Sequence, residues 1–346
     1  MLAVSLGCAA APELPNAPAR PSGREYSGGR VLMGTVLELE LVVRDEAQGR
    51  AVAEAVYQEV ARLERLVSHY DPESSVSRLA DAAGGGPREV DPAVAELVGI
   101  ALRCGELSRG AFDVTLGPAI EFWRTADPLL PDQAALAAVR ARTGHDKLKR
   151  WPGERIELLA PGMRLDFGGI AKGWALDRVV PWLRASEIEA ALLSFGQSSI
   201  WALGAPPGTE GWTLALRTPS GGIQGQVTLR DQALSVSSSI EAGEQPDAIQ
   251  LDVDPPAPGR APIIDPRTLW PVDRRALAVV VAGDASRADA LSTAILVLDP
   301  DSALEIVEAA PGVEAMIVEQ DGRFWHTAGW YAATHYRSWP ATGRER

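Results

Sequence analysis

In VLMGTVLELELVV, residues 31–43, Leu37, Leu39 and Leu41 alternate with Glu38 and Glu40. A period of two puts the leucines on one face and the carboxylates on the other, which predicts a half-buried β-strand. The period then changes. Val52, Val56, Val60, Leu63 and Val67 recur at three- and four-residue steps, predicting an amphipathic helix. HYDPESSVSRLADAAGGGP reads as a loop, a short helical piece and a glycine-rich break. PAVAELVGIALRCGELS predicts a second helix, ended by Gly110.

Further along, GAFDVTLGPAIEFW is apolar with a proline kink, and residues 127–150 read as a short Pro-started helix and a turn. RIELLAPGMRLDFGG predicts a strand, a tight turn and a second strand, with a helix starting at 170. EAALLSFGQSSIWALG and GWTLALRTP predict strands, and GQVTLRDQALSVSSS continues the sheet. Residues 241–262 are polar and Pro-rich, a loop. RALAVVVAGDASRADALSTAILVLD predicts a strand, a turn and a helix. GVEAMIVEQDGRFWHTAGW predicts a hairpin turning at Asp321-Gly322. Mixed helices and antiparallel hairpins favour an α+β fold over a doubly wound sheet. The folded domain is expected over 30–340, after a low-complexity tether over 1–29.

Composition narrows the function. The chain has 346 residues, a formal net charge of −13 and a pI near 4.9. An acidic chain has no electrostatic footprint for DNA or RNA, so nucleic acid is excluded as a partner. An anionic ligand then needs a local device: a metal ion, a helix N-terminus or a single lysine. Four histidines and two cysteines leave little for a zinc site, and Cys8 and Cys104 show no CxxC spacing. Cys8 lies in MLAVSLGCAAAPELPNAPARPSG, where an apolar start and a Gly7-Cys8 junction precede a Pro/Ala/Gly tether. This resembles the end of a bacterial lipoprotein signal, although Ser5 stands where leucine is usual and no basic residue precedes the apolar run. The expectation is a lipid anchor at Cys8 and a place outside the cytoplasm, at the periplasmic face of the inner membrane; the alternative is a frayed terminus.

Three stretches carry candidate chemistry. RLDFGGIAKGWALD, residues 164–177, sets Gly168-Gly169 between Asp166 and Lys172 at a helix start. Glycines admit a ligand close to the backbone, and free N–H groups at a helix start suit phosphate. The alternative is a strand-to-helix turn with a solvated lysine. In SRADALSTAILVL, Asp289 and Thr293 are four apart, on one helical face. A carboxylate and a hydroxyl there suit Mg²⁺. Ser286 with Asp289 also reads as a capping box. Finally, Asp265-Pro266 in IIDPRTLWP is a turn former, with Arg267 and Thr268 available to phosphate or ribose.

Together these stretches resemble, in order, the ApbE-type FAD:protein FMN transferases, over residues 31–335. LMGT, SHYDPESSVSRL, AFDVTLGPAIEFW, LDFGGIAKGWALD, SFGQSSIWALG, GWTLALRTP, IIDPRT and ADALSTAILVL carry the resemblance. It implies an α+β fold of two lobes around an FAD cleft, and Mg²⁺-dependent transfer of FMN from FAD to a Ser or Thr hydroxyl of a target protein, with AMP leaving. Met33, Tyr70, Ala111, Phe112, Asp113, Asp166, Lys172, Ile263 and Ile264 match FAD-contacting positions. A main-chain carbonyl at Gly169 and the side chains of Asp289 and Thr293 match the Mg²⁺ ligands, which makes Asp289 and Thr293 the expected catalytic pair.

The sequence departs from the family in places. Pro262 stands where the family has a histidine, a candidate base for the incoming hydroxyl. Leu269 replaces the glycine after DPRT, and the Gly-Gly-Asp of the Gly-rich strand is Gly196-Gln197-Ser198. The family's threonine-serine-glycine stretch is SVSSS here. The alternative reading is therefore an FAD carrier or FAD hydrolase that has lost efficient transfer. His326 is a candidate substitute in space, or an ordinary strand histidine.

Overall fold

The computed structural model describes residues 24–126, 132–219, 222–240 and 263–338. Cys8, the 241–262 loop and Pro262 lie outside the described residues.

The first alternating segment is a hairpin rather than one strand. β1 (Arg24–Leu32) pairs antiparallel with β2 (Thr35–Val43), so pairing begins ahead of the expected domain start at 30. The two connecting residues, Met33 and Gly34, have φ of 50° and 73°. Positive φ at both is the turn that matches strand twist. The Met33 N–H is held there by Glu64 Oε1 at 2.8 Å.

α1 (Glu46–Val67) begins at an Asp45 cap and buries the predicted valine stripe. α2 (Ser75–Asp81) and a short β3 (Arg88–Glu89) precede α3 (Pro92–Leu107), which ends before Gly110 at a Ser108 cap. Pro118 does not kink a helix; it lies in the first turn of α4 (Gly117–Thr125), where its missing N–H costs nothing. α5 (Gln133–Ala141), β4 (Leu148–Trp151) and β5 (Arg155–Leu158) follow, and β3, β5 and β4 make a small sheet. The second strand expected within 155–169 does not form. Its alternation is real, since Met163, Leu165 and Phe167 are buried and Arg164 is exposed. Among the described residues no strand lies alongside it; the Asp166 N–H bonds to the carbonyl of Val114, in the single 3-10 turn Val114–Leu116, at 2.7 Å.

α6 (Ala171–Ala185) then leads into β6 (Ala190–Phe195) and β7 (Ser199–Leu203). After β8 (Trp212–Arg217), β9 (Ile223–Leu229) and β10 (Gln232–Ser238) come β11 (Ala276–Ala282) and α7 (Ala285–Val297). The chain finishes with α8 (Pro300–Glu308), β12 (Val313–Glu319), β13 (Phe324–His326), α9 (Trp330–Thr334) and β14 (Arg337–Ser338).

The main sheet has eight antiparallel strands in the order β1-β2-β6-β7-β10-β11-β12-β13. One face, with Leu37, Leu39, Leu193 and Val280, packs on α1, α3, α6 and α7. The other, with Leu192, Ile200, Val279 and Val281, is covered by Trp212, Leu214 and Val227 of a second sheet, β14-β9-β8, and by Trp330 of α9. β9 therefore leaves the sheet that β10 joins, against the expectation of one continuing sheet. Coverage of both faces explains why β6 and β11 are buried at every position and apolar at all but Ser194. The fold is α+β, as expected.

Candidate functional site

Two neighbouring features build the site: a cradle between α6 and α7, and a groove beside it. α7 starts at an Asp284 cap, whose carboxylate accepts from Arg287 N, so Ser286 and Asp289 are not a capping box. Asp289 and Thr293 fall one turn apart on the face that meets α6. Asp289 is 3% exposed. Its Oδ2 accepts the Gly173 N–H at 3.0 Å, and its Oδ1 lies 3.3 Å from Ser235 Oγ. No cationic side chain pairs with it among the described residues. A buried carboxylate without a counter-charge is costly, so this position calls for a cation.

Gly169 closes the cradle. A Cβ there would sit 3.1 Å from Thr293 Oγ1 and 3.3 Å from the Phe112 ring, so a side chain would fill the space in front of the hydroxyl. Around it lies a network of hydroxyls. Ser292 Oγ is 2.7 Å from Ser237 Oγ and 3.1 Å from Ser235 Oγ, and Ser237 Oγ is 3.3 Å from Thr293 Oγ1. Ser235 Oγ also lies 3.1 Å from the Ser198 carbonyl, which brings the 196–198 turn into the cluster. Within that turn Gln197 Oε1, and just after it Ser199 Oγ, are buried without a hydrogen-bond partner. One carboxylate, one hydroxyl and one main-chain carbonyl are hard oxygen donors, the chemistry that Mg²⁺ takes when it keeps waters and phosphate oxygens as its other ligands. No group of three or more His, Cys, Asp and Glu placed to hold a metal occurs among the described residues.

The groove has a volume of about 420 Å³ and runs between α2 and α4, with Tyr70, Arg124, Arg164 and Asp166 among its lining. Tyr70 is 82% exposed and its ring lies 4.0 Å from that of His69. Asp166 faces both ways: Oδ1 accepts the Gly168 N–H at 2.8 Å, and Oδ2 is 3.6 Å from His69 Nδ1. The Lys172 ammonium donates to the Gly168 carbonyl at 3.3 Å, across the opening turn of α6. A cation, a helix N-terminus and a carboxylate-anchored glycine loop therefore stand together, an arrangement that suits a pyrophosphate.

Of the expected FAD contacts, Tyr70 and Asp166 line this groove, Lys172 stands beside it, and Phe112 borders the cradle at Gly169. Ala111 is buried next to Phe112. Asp113 is used locally: it caps the turn before α4 by accepting the Thr115 N–H at 2.8 Å. Met33, at its hairpin tip, is not among the groove residues. Nor are Ile263, which packs in the main core, and Ile264, which packs with Trp123 and Leu269 against α4 and α5. His326 sits at the far edge of the main sheet, its Nδ1 2.9 Å from the Thr327 carbonyl, and is not a groove residue. His69 is one, and sequence reasoning passed over it, as it did Gly173 and the serines of β10.

Burial pushes the Asp113 carboxyl above its ordinary value of 3.8, while hydrogen bonds from Thr115 and the His145 backbone pull it part of the way back. The folded state thus keeps this proton to a higher pH than the unfolded chain does. Stability from this group is highest at low pH and falls as pH rises from 3.8 through the raised value. Asp113→Asn keeps an acceptor for Thr115 but cannot ionise. Melting temperatures measured across this window are expected to slope less in the variant; parallel slopes would remove Asp113 as the source.

The ApbE family model matches residues 33–317. FAD:protein FMN transferase from Treponema pallidum is 29% identical over 327 residues, 88% of each chain. The enzyme of that name from Rhodobacter capsulatus is 30% identical over 305 residues, 86% of this chain and 56% of that one. Among solved structures, the flavin transferase ApbE from Vibrio cholerae superposes with a TM-score of 0.76 at 22% identity, covering 90% of this chain and 99% of that one. The ApbE protein from Thermotoga maritima superposes with a TM-score of 0.76 at 25% identity, covering 89% and 99%. With the family model spanning most of its length and both the glycine loop and the Asp289–Thr293 face inside that span, this chain belongs to the ApbE family.

Proposed function

We infer that this protein transfers FMN from FAD to a hydroxyl of a target protein, and that it does so with Mg²⁺. The observation that carries the reading is a buried Asp289 with no cationic partner among the described residues, one helical turn from Thr293, whose hydroxyl stands against Gly169, within a chain of this family. When bound there, Mg²⁺ would neutralise pyrophosphate charge and polarise the phosphorus under attack.

The rest falls to the chain's own groups. Lys172 and the α6 N-terminus bind phosphate oxygens. Asp166 fixes the loop that presents them. Tyr70, exposed at the groove mouth, offers a ring to a flat heterocycle. In the reaction the Ser or Thr oxygen of the target bonds to the FMN-side phosphorus, the bond from that phosphorus to the bridging oxygen breaks, AMP leaves with that oxygen, and the hydroxyl proton is released.

The Gly7-Cys8 junction and the Pro/Ala tether after it support a lipid anchor at Cys8 and a place at the periplasmic face of the inner membrane. Among the described residues, no helix is long and apolar enough to cross a membrane.

The test is incubation with FAD, Mg²⁺ and an acceptor domain, followed by intact mass. The acceptor is expected to gain one FMN through a phosphoester, with one AMP released for each acceptor modified. AMP release with no gain on the acceptor would make the protein an FAD hydrolase. Bound FAD with neither product would make it a carrier, the outcome that loss of a base at Pro262 would give.

A further inference from the structure

α6 and α7 run in opposite senses, and their contacts repeat at one-turn steps. Gly169, just before α6, faces Thr293. One turn on, Gly173 donates its N–H to Asp289 at 3.0 Å. The next turn of α6 brings Asp177, and the preceding turn of α7 brings its first residues. Asp177 Oδ1 accepts the Ala285 N–H at 2.7 Å, and Oδ2 accepts the Ser286 N–H at 2.8 Å and the Ser286 hydroxyl at 2.5 Å. Trp201 Nε1, from β7, donates to Oδ1 at 3.2 Å.

A helix leaves its first N–H groups without internal partners. α7 already has a cap of its own in Asp284. The Asp177 carboxylate adds a second one from another helix, and it takes the two N–H groups that Asp284 leaves. Four donors converge on it, and all but one come from the start of α7. The contact therefore fixes both the height of α7 along α6 and its rotation, and Asp289 and Thr293 follow on the same rigid helix, one and two turns further on.

We propose that Asp177 is a positioning residue for the metal cradle: by capping α7 from α6 it sets the register in which Asp289 and Thr293 meet Gly169. It is not among the residues that line the groove, and it acts through the helix. The inference rests on the proposed Mg²⁺-dependent transfer. Asn is nearly isosteric with Asp, but it has one acceptor oxygen and an NH₂ that would confront an N–H donor. In Asp177→Asn one of the two main-chain contacts turns repulsive, and α7 shifts or rotates.

The experiment is calorimetric titration of the FAD-loaded protein with Mg²⁺ for wild type, Asp177→Asn and Ser286→Ala, together with FAD affinity measured without metal and transfer rates as a function of Mg²⁺. Supporting groups around a metal's direct ligands typically control affinity about 10–100-fold, so Asp177→Asn is expected to weaken Mg²⁺ within that range. FAD affinity without metal should stay within about twofold, and kcat should recover at saturating Mg²⁺. Ser286→Ala, which removes one contact and adds no repulsion, is expected to fall between wild type and Asp177→Asn, and it carries the test if Asp177→Asn does not fold. Wild-type Mg²⁺ affinity in both variants would overturn the inference. So would an equal loss of metal-free FAD affinity, which marks general damage. A wild-type protein indifferent to Mg²⁺ would instead overturn the proposed function itself.

Discussion

Asp289→Asn is expected to lower FMN transfer by about 10²–10³-fold, the usual loss when one charge-stabilising group at a reacting centre is removed. The fold should survive. The asparagine oxygen can still accept the Gly173 N–H, and its NH₂ can donate to Ser235, whose hydroxyl now accepts instead of donating. What disappears is the full negative charge on a position that is 3% exposed and has no cationic partner among the described residues. Transfer should then lose its Mg²⁺ dependence, while the melting temperature in the absence of metal holds or rises, because an uncompensated buried charge has gone. Transfer rates, Mg²⁺ calorimetry and thermal melts on the same preparation check all three. A variant with wild-type rate and wild-type Mg²⁺ response would show that the cation is held elsewhere.

Gly173→Ala is expected to be strongly destabilising. A Cβ built there would lie 2.1 Å from the Ala285 carbonyl oxygen and 2.9 Å from Asp289 Cβ. The obstacle is backbone on a buried helix, so no side chain can rotate out of the way. Either α6 and α7 separate or the variant does not pack, and overpacking of this kind costs about 1–3 kcal/mol. Separation also draws Asp289 away from Gly169, so Mg²⁺ affinity should fall together with the melting temperature. This differs from Asp289→Asn, where metal binding is lost and stability is not. A Gly173→Ala protein with an unchanged melt would mean that the two helices are not in close contact in solution.

The sequence made some of this visible because the signals were local. The spacing of Asp289 and Thr293 needs only helical geometry, and the valine stripe of α1 and the alternation in β2 are periodicities of single elements. Gly173 and Asp177 were hidden for the opposite reason. Their partners stand 116 and about 108 residues away in sequence, in another helix, and an α6 read alone shows a glycine that weakens a helix and an ordinary acid. The hairpin at Met33-Gly34 was missed because methionine does not advertise a positive φ. The strand expected at 163–167 showed the right alternation but had no neighbour, and alternation reports burial on one side, not pairing. Nor could it say that β9 and β10 belong to different sheets. Two of the positions where the resemblance expects glycine are instructive: Gln197 and Leu269 hold φ of 64° and 65°, so the backbone takes the left-handed conformation there without the residue best suited to it.

The serines between β10 and α7 give the cradle a sense of direction. Each hydroxyl has one proton to give. With no cation present, Ser235, Ser292 and Ser237 can order their protons in either sense, because each hydroxyl can donate or accept, whereas the Asp289 carboxylate at the end of the row only accepts. A cation at Thr293 would claim a lone pair of Oγ1 and turn that proton away, toward Ser237 at 3.3 Å or the Asp289 carbonyl at 3.4 Å. Once Ser237 accepts, it donates to Ser292 at 2.7 Å, and Ser292 in turn donates to Ser235 or to the Asp289 carbonyl. Where Thr293 donates to Ser237, a bound cation would favour the polarity that runs from Thr293 toward Asp289, and its charge would be felt at β10 through the orientation of O–H bonds.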